Sequence, residues 1–219
     1  MHRRRIWKLM AMAGATALIA AAVSCSSKAT DDDSAAVSVL PKAILQPGDP
    51  DPMIASGVTI PSGATIYKTS GIGPEPGNPA APEATPERYV DSRYAARLPP
   101  GVSLTEAQGI NVLESIRSNL EQQGLSLSDV ITMRVFLDSP PDAERADFEG
   151  WNRAYRQFFA NTDIGTGDTE LVPMGAGEPK APIVRNPARP TRFALEVAAL
   201  PVPGWLVEVE VDAVHPAST

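Results

Sequence analysis

The chain has 219 residues, 43% of them hydrophobic, with 26 acidic against 19 basic side chains, a formal net charge of −7, one cysteine and two histidines. That balance argues against nucleic acid as a partner, because affinity for phosphate backbones rests on Lys and Arg. One cysteine excludes an internal disulfide, and His2 with His215 supply neither a zinc set of ordinary spacing nor a Ser-His-Asp triad. The chemistry left to the chain uses carboxylates, arginine, hydroxyls, backbone groups and water, with no metal and no cofactor.

In chain order, Arg3-Arg4-Arg5 precede an apolar run from Leu9 to Val23 that ends in Ala22-Val23-Ser24-Cys25. This is the layout of a lipoprotein-type signal peptide over residues 1–24, with Cys25 as the lipid acceptor. The run is shorter than the roughly 20 residues a membrane span needs. Ordinary cleavage that leaves an idle thiol, or a short membrane anchor, are the alternatives. The expected location is the periplasmic face of a bacterial membrane, and Ser26 favours the outer one. Loss of Arg3, Arg4, Arg5 and Lys8 leaves 15 basic against 26 acidic residues, a net charge of −11. Residues 25–52 are small, polar and Pro/Gly-punctuated, with Asp31-Asp32-Asp33, and read as a flexible tether. Residues 53–219 suit one domain.

Within that domain a first β segment lies around Val58 to Ile60, and Thr65 to Ser70 alternates as a strand that stops at Gly71. Residues 74–103 are Pro-rich and read as a long loop, with a short helical turn between Arg88 and Arg97. Ser103-Leu104-Thr105-Glu106 has the form of a capping box, and Ile110, Leu113, Ile116 and Leu120 recur at helical spacing up to Gly124. Val130 to Leu137 is a strand with Ile131, Met133, Val135 and Leu137 on one face. Phe148, Trp151, Tyr155, Phe158 and Phe159 mark a second amphipathic helix with a core-facing aromatic stripe. Residues 160–190 form another long loop. Arg192 to Ala199 and Leu206 to Val214 are strands separated by the turn Pro201-Val202-Pro203-Gly204, which suggests a closing hairpin. The order predicts an α+β domain, two helices on one face of a mainly antiparallel sheet.

Several fragments recur in this order in one family: Thr69-Ser70-Gly71, Glu106-Ala107-Gln108, Asp129-Val130-Ile131, Asn152 to Phe159, Arg192 to Pro201 and Val207-Glu208-Val209-Glu210. On these residues, spread over about 54–216, the chain resembles the RidA/YjgF family of enamine and imine deaminases. The resemblance implies a chorismate-mutase-like fold and a homotrimer with ligand clefts between subunits. By register it makes Arg192 the grip on a substrate carboxylate and Glu208 the residue that positions water, with Ser70 and Asn152 as further pocket positions. Alternation within Arg192 to Ala199 expects Phe193, Leu195 and Val197 on the core face, and Arg192 with Ala194 opposite, toward a ligand. The guanidinium fork suits a carboxylate because it donates two parallel hydrogen bonds.

Each of these positions also has a plainer reading. Glu208, Glu210 and Asp212 alternate with valines as on any half-buried strand. Arg192 suits a salt bridge, Ser70 a strand end and Asn152 a helix surface. The chain also departs from the family pattern. Ala194 stands where family deaminases carry a cysteine, a tyrosine near the first strand is missing, with Gly57 or a neighbour in its place, and both loops are longer. Pro187-Ala188-Arg189 imitates the family's proline-alanine-arginine signature, but strand register favours Arg192. The expected reaction is hydrolysis of a small 2-imino or enamine acid to a 2-oxo acid and ammonia. The alternatives are a non-catalytic periplasmic module that binds carboxylate ligands or serves as a scaffold on the same trimeric fold, and hydrolysis of another small amide or imine.

Overall fold

The computed structural model describes residues 40–216. The signal peptide, the lipid acceptor Cys25 and the tether as far as residue 39 lie outside the described residues.

A small antiparallel pair comes first, β1 (Lys42–Ile44) against β2 (Gly57–Thr59). The main sheet has four strands, β3 (Ile66–Lys68), β4 (Val130–Leu137), β5 (Thr191–Glu196) and β6 (Val207–Val214), in the order β3-β6-β4-β5. Two of its three ladders are antiparallel, and β4 with β5 is parallel. Helices α1 (Leu104–Glu121) and α2 (Phe148–Arg156) join the same core as one face of the sheet, so the α+β architecture holds.

That core follows from the sequence periodicities. Ile110, Leu113, Ile116 and Leu120 of α1, Trp151 and Tyr155 of α2, Phe158 and Phe159 just beyond it, and Val207, Val209 and Val211 of β6 are all fully buried. Gly109 lets the helices approach, since a Cβ there would stand 2.8 Å from the Ala154 Cβ. The helix starts are joined as well. Ser103 Oγ accepts from Glu106 N at 3.1 Å and donates to Asp147 Oδ2 at 2.5 Å, while Asp147 Oδ1 accepts from Gly150 N at 2.8 Å.

Four expectations are corrected. The closing hairpin does not form, because β4 lies between β5 and β6. Strand β5 arrives from α2 through a long crossover, which makes it parallel to β4, and residues 197–206 then step past β4 to β6, about two strand spacings of 4.8 Å. The face of β5 is also the reverse of the expected one. Phe193 and Leu195 are 44% and 51% exposed, whereas Arg192 and Ala194 pair with the core residues Met133 and Val135. The capping box is only half made: Glu106 turns away from Ser103 N, accepting from Arg153 Nε at 2.8 Å and Gly175 N at 2.9 Å. Finally, residues 42–52, assigned by composition to the tether, carry β1 and the anchored Asp51 and Pro52.

Both long loops are pinned by buried polar side chains. Asn111 bonds Glu75 on both its N–H and its carbonyl and also donates to Tyr89 O. Gln108 donates to Pro86 O and Gly204 O and accepts from Leu206 N. Within 74–103, Pro86–Tyr89 and Ser92–Tyr94 make short 3-10 turns in place of the single expected turn. Asn161 holds Arg156 O, Val184 O and Asn186 N in the second loop. The loops meet where Ala176 N donates to Pro100 O at 3.0 Å. No described helix is long and apolar enough to cross a membrane.

Candidate functional site

Arg192 is the second residue of β5, with its side chain directed at α2. Its Nη2 donates to Asn152 Oδ1 at 2.7 Å, and its Cζ lies 4.2 Å from the centre of the Tyr155 ring. Asn152 and Tyr155 are three residues apart on α2 and so share a face. Among the described residues the buried Nη1 has no hydrogen-bond partner and the guanidinium makes no ion pair. Burial pulls the Arg192 guanidinium below its ordinary range, since no carboxylate stands by to favour the charged form. A desolvated cation with an unused donor is poised for an anion, because leaving such a donor unpaired costs on the order of 1–3 kcal/mol.

Arg189, its rival in sequence, is spent. Nε donates to Pro52 O at 2.7 Å, Nη1 to Pro187 O at 3.0 Å, and Nη2 to Asp51 Oδ1 at 3.0 Å and Thr162 O at 2.7 Å. It is a structural clamp between the start of the domain and the second loop.

Glu208 and Ser70 lie elsewhere. Glu208 pairs with Phe136 across the β4–β6 ladder and points away from the helices, as do Glu210 and Asp212. Asp212 is held by Arg134 at 2.8 Å and Lys68 at 2.6 Å, and Glu210 by Arg134 at 3.3 Å. Burial alone would raise the Asp212 carboxyl, but the hydrogen bonds and charges of Arg134 and Lys68 outweigh it and hold it below the usual carboxylate range. Glu208 makes no ion pair among the described residues. Its carboxylate occupies the space above Gly71, where an added Cβ would sit 1.9 Å from Oε1, so any side chain at 71 would displace the Glu208 carboxylate. Chain segment 69–72 runs along β6 through bonds of Thr69 N to Val211 O and Ile72 N to Val209 O, which places exposed Ser70 beside that carboxylate.

The four predicted residues therefore form two pairs. Asn152 with Arg192 sits on the helix side of the sheet, and Ser70 with Glu208 on its open side. One chain does not bring the pairs together. Sequence reasoning missed Tyr155 as a neighbour of Arg192, having placed it in the core stripe; once β5 faces α2, spacing i, i+3 from Asn152 is the signal that finds it.

The family model described as "Endoribonuclease L-PSP" matches residues 100–215, just over half of the chain. The chain belongs to that family. It is the RidA/YjgF family of the sequence resemblance, and its members are enamine and imine deaminases. The match takes in Asn152, Arg192 and Glu208, whereas Ser70 lies before it. No curated protein matches the chain. Among solved structures it is similar to Rv2704 of Mycobacterium tuberculosis, a member of the YjgF/YER057c/UK114 family, at 19% identity over 80% of this chain and 99% of that one, with a TM-score of 0.38. The Escherichia coli TdcF structure with bound serine is 22% identical over 80% and 99%, with a TM-score of 0.40. The YjgF gene product of E. coli is 22% identical over 79% and 93%, with a TM-score of 0.39.

Proposed function

We propose that this family member hydrolyses small 2-imino or enamine acids to 2-oxo acids and ammonia, in clefts that two copies of the chain build together within a trimer. The observation that carries the reading is Arg192: desolvated, seated on Asn152, and without an anionic partner among the described residues. A substrate carboxylate supplies that partner. The exposed Phe193 and Leu195 support the second copy, since they form an apolar patch around Phe136 on the helix-free side, next to Glu208.

In the mechanism Arg192 of one copy holds the carboxylate, and Glu208 of another, with Ser70 beside it, orients a water toward the imine carbon. As the water oxygen bonds to the carbon of the protonated imine, Glu208 takes one water proton and the C=N electron pair moves to nitrogen, which gives a neutral carbinolamine. Glu208 returns that proton to the amino nitrogen; as the C–N bond breaks and ammonia leaves, the hydroxyl proton passes to the Glu208 carboxylate, the C=O bond forms, and the proton is lost to solvent. Such imines hydrolyse in water unaided, so positioning plus one general base, worth about 10²–10⁴-fold in the proton-transfer part, is a sufficient contribution. The family's description names an endoribonuclease, but an acidic chain is ill suited to RNA. Ala194, where family deaminases carry a cysteine, favours the competing reading of a carboxylate-binding module without turnover.

The test is release of pyruvate from 2-aminoacrylate generated in situ. The protein is expected to exceed the spontaneous rate, and Arg192→Ala and Glu208→Ala each to remove the excess. Co-assembly of the two variants is expected to restore part of it, because some clefts would then hold both intact residues. Absence of turnover from folded trimers transfers the reading to the binding module. The proposal extends to export as a lipoprotein through Cys25; incorporation of radiolabelled palmitate that Cys25→Ser abolishes is the expected result.

A further inference from the structure

The carboxylate reading leaves open what fixes Arg192. A free arginine side chain loses about 2 kcal/mol of rotamer entropy when held in one geometry, so a guanidinium that must meet a ligand needs a seat already in place. Asn152 provides one contact, at the Nη2 edge. The other is a ring.

We propose that Tyr155 is a positioning residue for Arg192, and that its ring, locked by the main chain at Met53, sets the plane of the guanidinium that meets the carboxylate. The inference rests on the function proposed above. Three observations carry it. The Tyr155 ring lies 4.2 Å beneath the guanidinium carbon. The ring itself cannot turn, because it is fully buried, stacks on Phe159 with centroids 5.3 Å apart and planes 9° apart, and donates its hydroxyl to Met53 O at 2.8 Å. And Met53 is held through its neighbours: Asp51 pairs with Arg189 at 3.0 Å and Arg156 at 3.5 Å, while Pro52 O accepts from Arg189. Burial pushes the Tyr155 phenol up, so the ring stays neutral and does not quench the cation above it. A seat made of a π face has a further property: it stabilises the charge without using a hydrogen-bond donor of the guanidinium.

The anchor lies outside the family-matched residues 100–215, so segment 51–53 supplies a part of the site that the family match does not cover. A tyrosine that merely filled the core would affect every ligand alike, whereas a guanidinium seat affects only those with a carboxylate. The experiment therefore compares affinities of the full chain for pyruvate and for pyruvamide, its neutral amide. The unaltered protein is expected to prefer pyruvate, and Arg192→Ala to lose that preference. Tyr155→Leu is expected to cut the preference roughly tenfold, with pyruvamide affinity little changed. Tyr155→Phe, which keeps the ring and loses the Met53 bond, falls between the two.

A folded Tyr155→Leu protein that keeps the full preference overturns the inference and leaves the carboxylate site standing. Preference retained by Arg192→Ala, or absent from the unaltered protein, overturns the carboxylate reading and this inference with it. Should Tyr155→Leu not fold, 3-fluorotyrosine at 155 keeps the shape while draining the ring of electron density. A fall in preference then supports the seat, and an unchanged preference overturns it.

Discussion

Arg189 and Arg192 stand three residues apart at the mouth of the same strand and have opposite lives. The first gives its donors to carbonyls and to Asp51; the second leaves a buried nitrogen with nothing to bond among the described residues. The lesson is that a buried arginine declares its role by what remains unused on it. A saturated guanidinium is a rivet, and an unsaturated one is a receptor.

The contrast can be broken most forcefully at Arg189. Arg189→Ala removes bonds to three carbonyls and one carboxylate at the junction of two loops, and should cost about 3 kcal/mol in urea denaturation. Arg192→Ala should change stability by less than about 1 kcal/mol, since it loses one hydrogen bond and a ring contact but relieves a desolvated, unpaired charge. Equal costs at both positions would erase the distinction between rivet and receptor.

The open face sharpens the comparison with smaller effects. Gly71→Ala drives a methyl group into the Glu208 carboxylate, so turnover should fall by about tenfold or more while carboxylate affinity, set at Arg192, holds. Separate measurement of kcat and of pyruvate binding checks this.

The mildest expectation concerns pH. Asp212 has its carboxyl lowered in the fold, so its contribution to stability is present above the unfolded Asp value, about 3.9, and is lost as pH falls through the folded one. Urea midpoints below pH 4 should decline less steeply in Asp212→Asn than in the parent. Glu106 runs the other way. Burial raises its carboxyl despite the bonds from Arg153 and Gly175, so its contribution is full below the unfolded Glu value and is lost as pH rises through the folded one.

Much of this fold could be read from the chain. Ser103 and the apolar spacing of Ile110 to Leu120 announced α1, the aromatic stripe announced α2, and the valines of β6 face the core as their alternation requires. Pairing could not be read in the same way. Alternation states which residues share a face, but nothing local says which face the helices will cover, and β5 carries apolar side chains on the side left bare. The turn Pro201 to Gly204 looked like a hairpin because nothing in those residues reveals that β4 lies between its strands. The same limit governs the site. The family register proposes Arg192, Glu208, Ser70 and Asn152 one by one, while their division between two faces is a property of topology alone.

The bond from Ser103 to Asp147 has a consequence for motion. It couples the first turns of α1 and α2, so neither helix can fray at its start without disturbing the other. In hydrogen exchange the amides of Glu106 and Gly150, 44 residues apart in the chain, should open with one shared free energy, as a single cooperative unit in place of two independent helix ends.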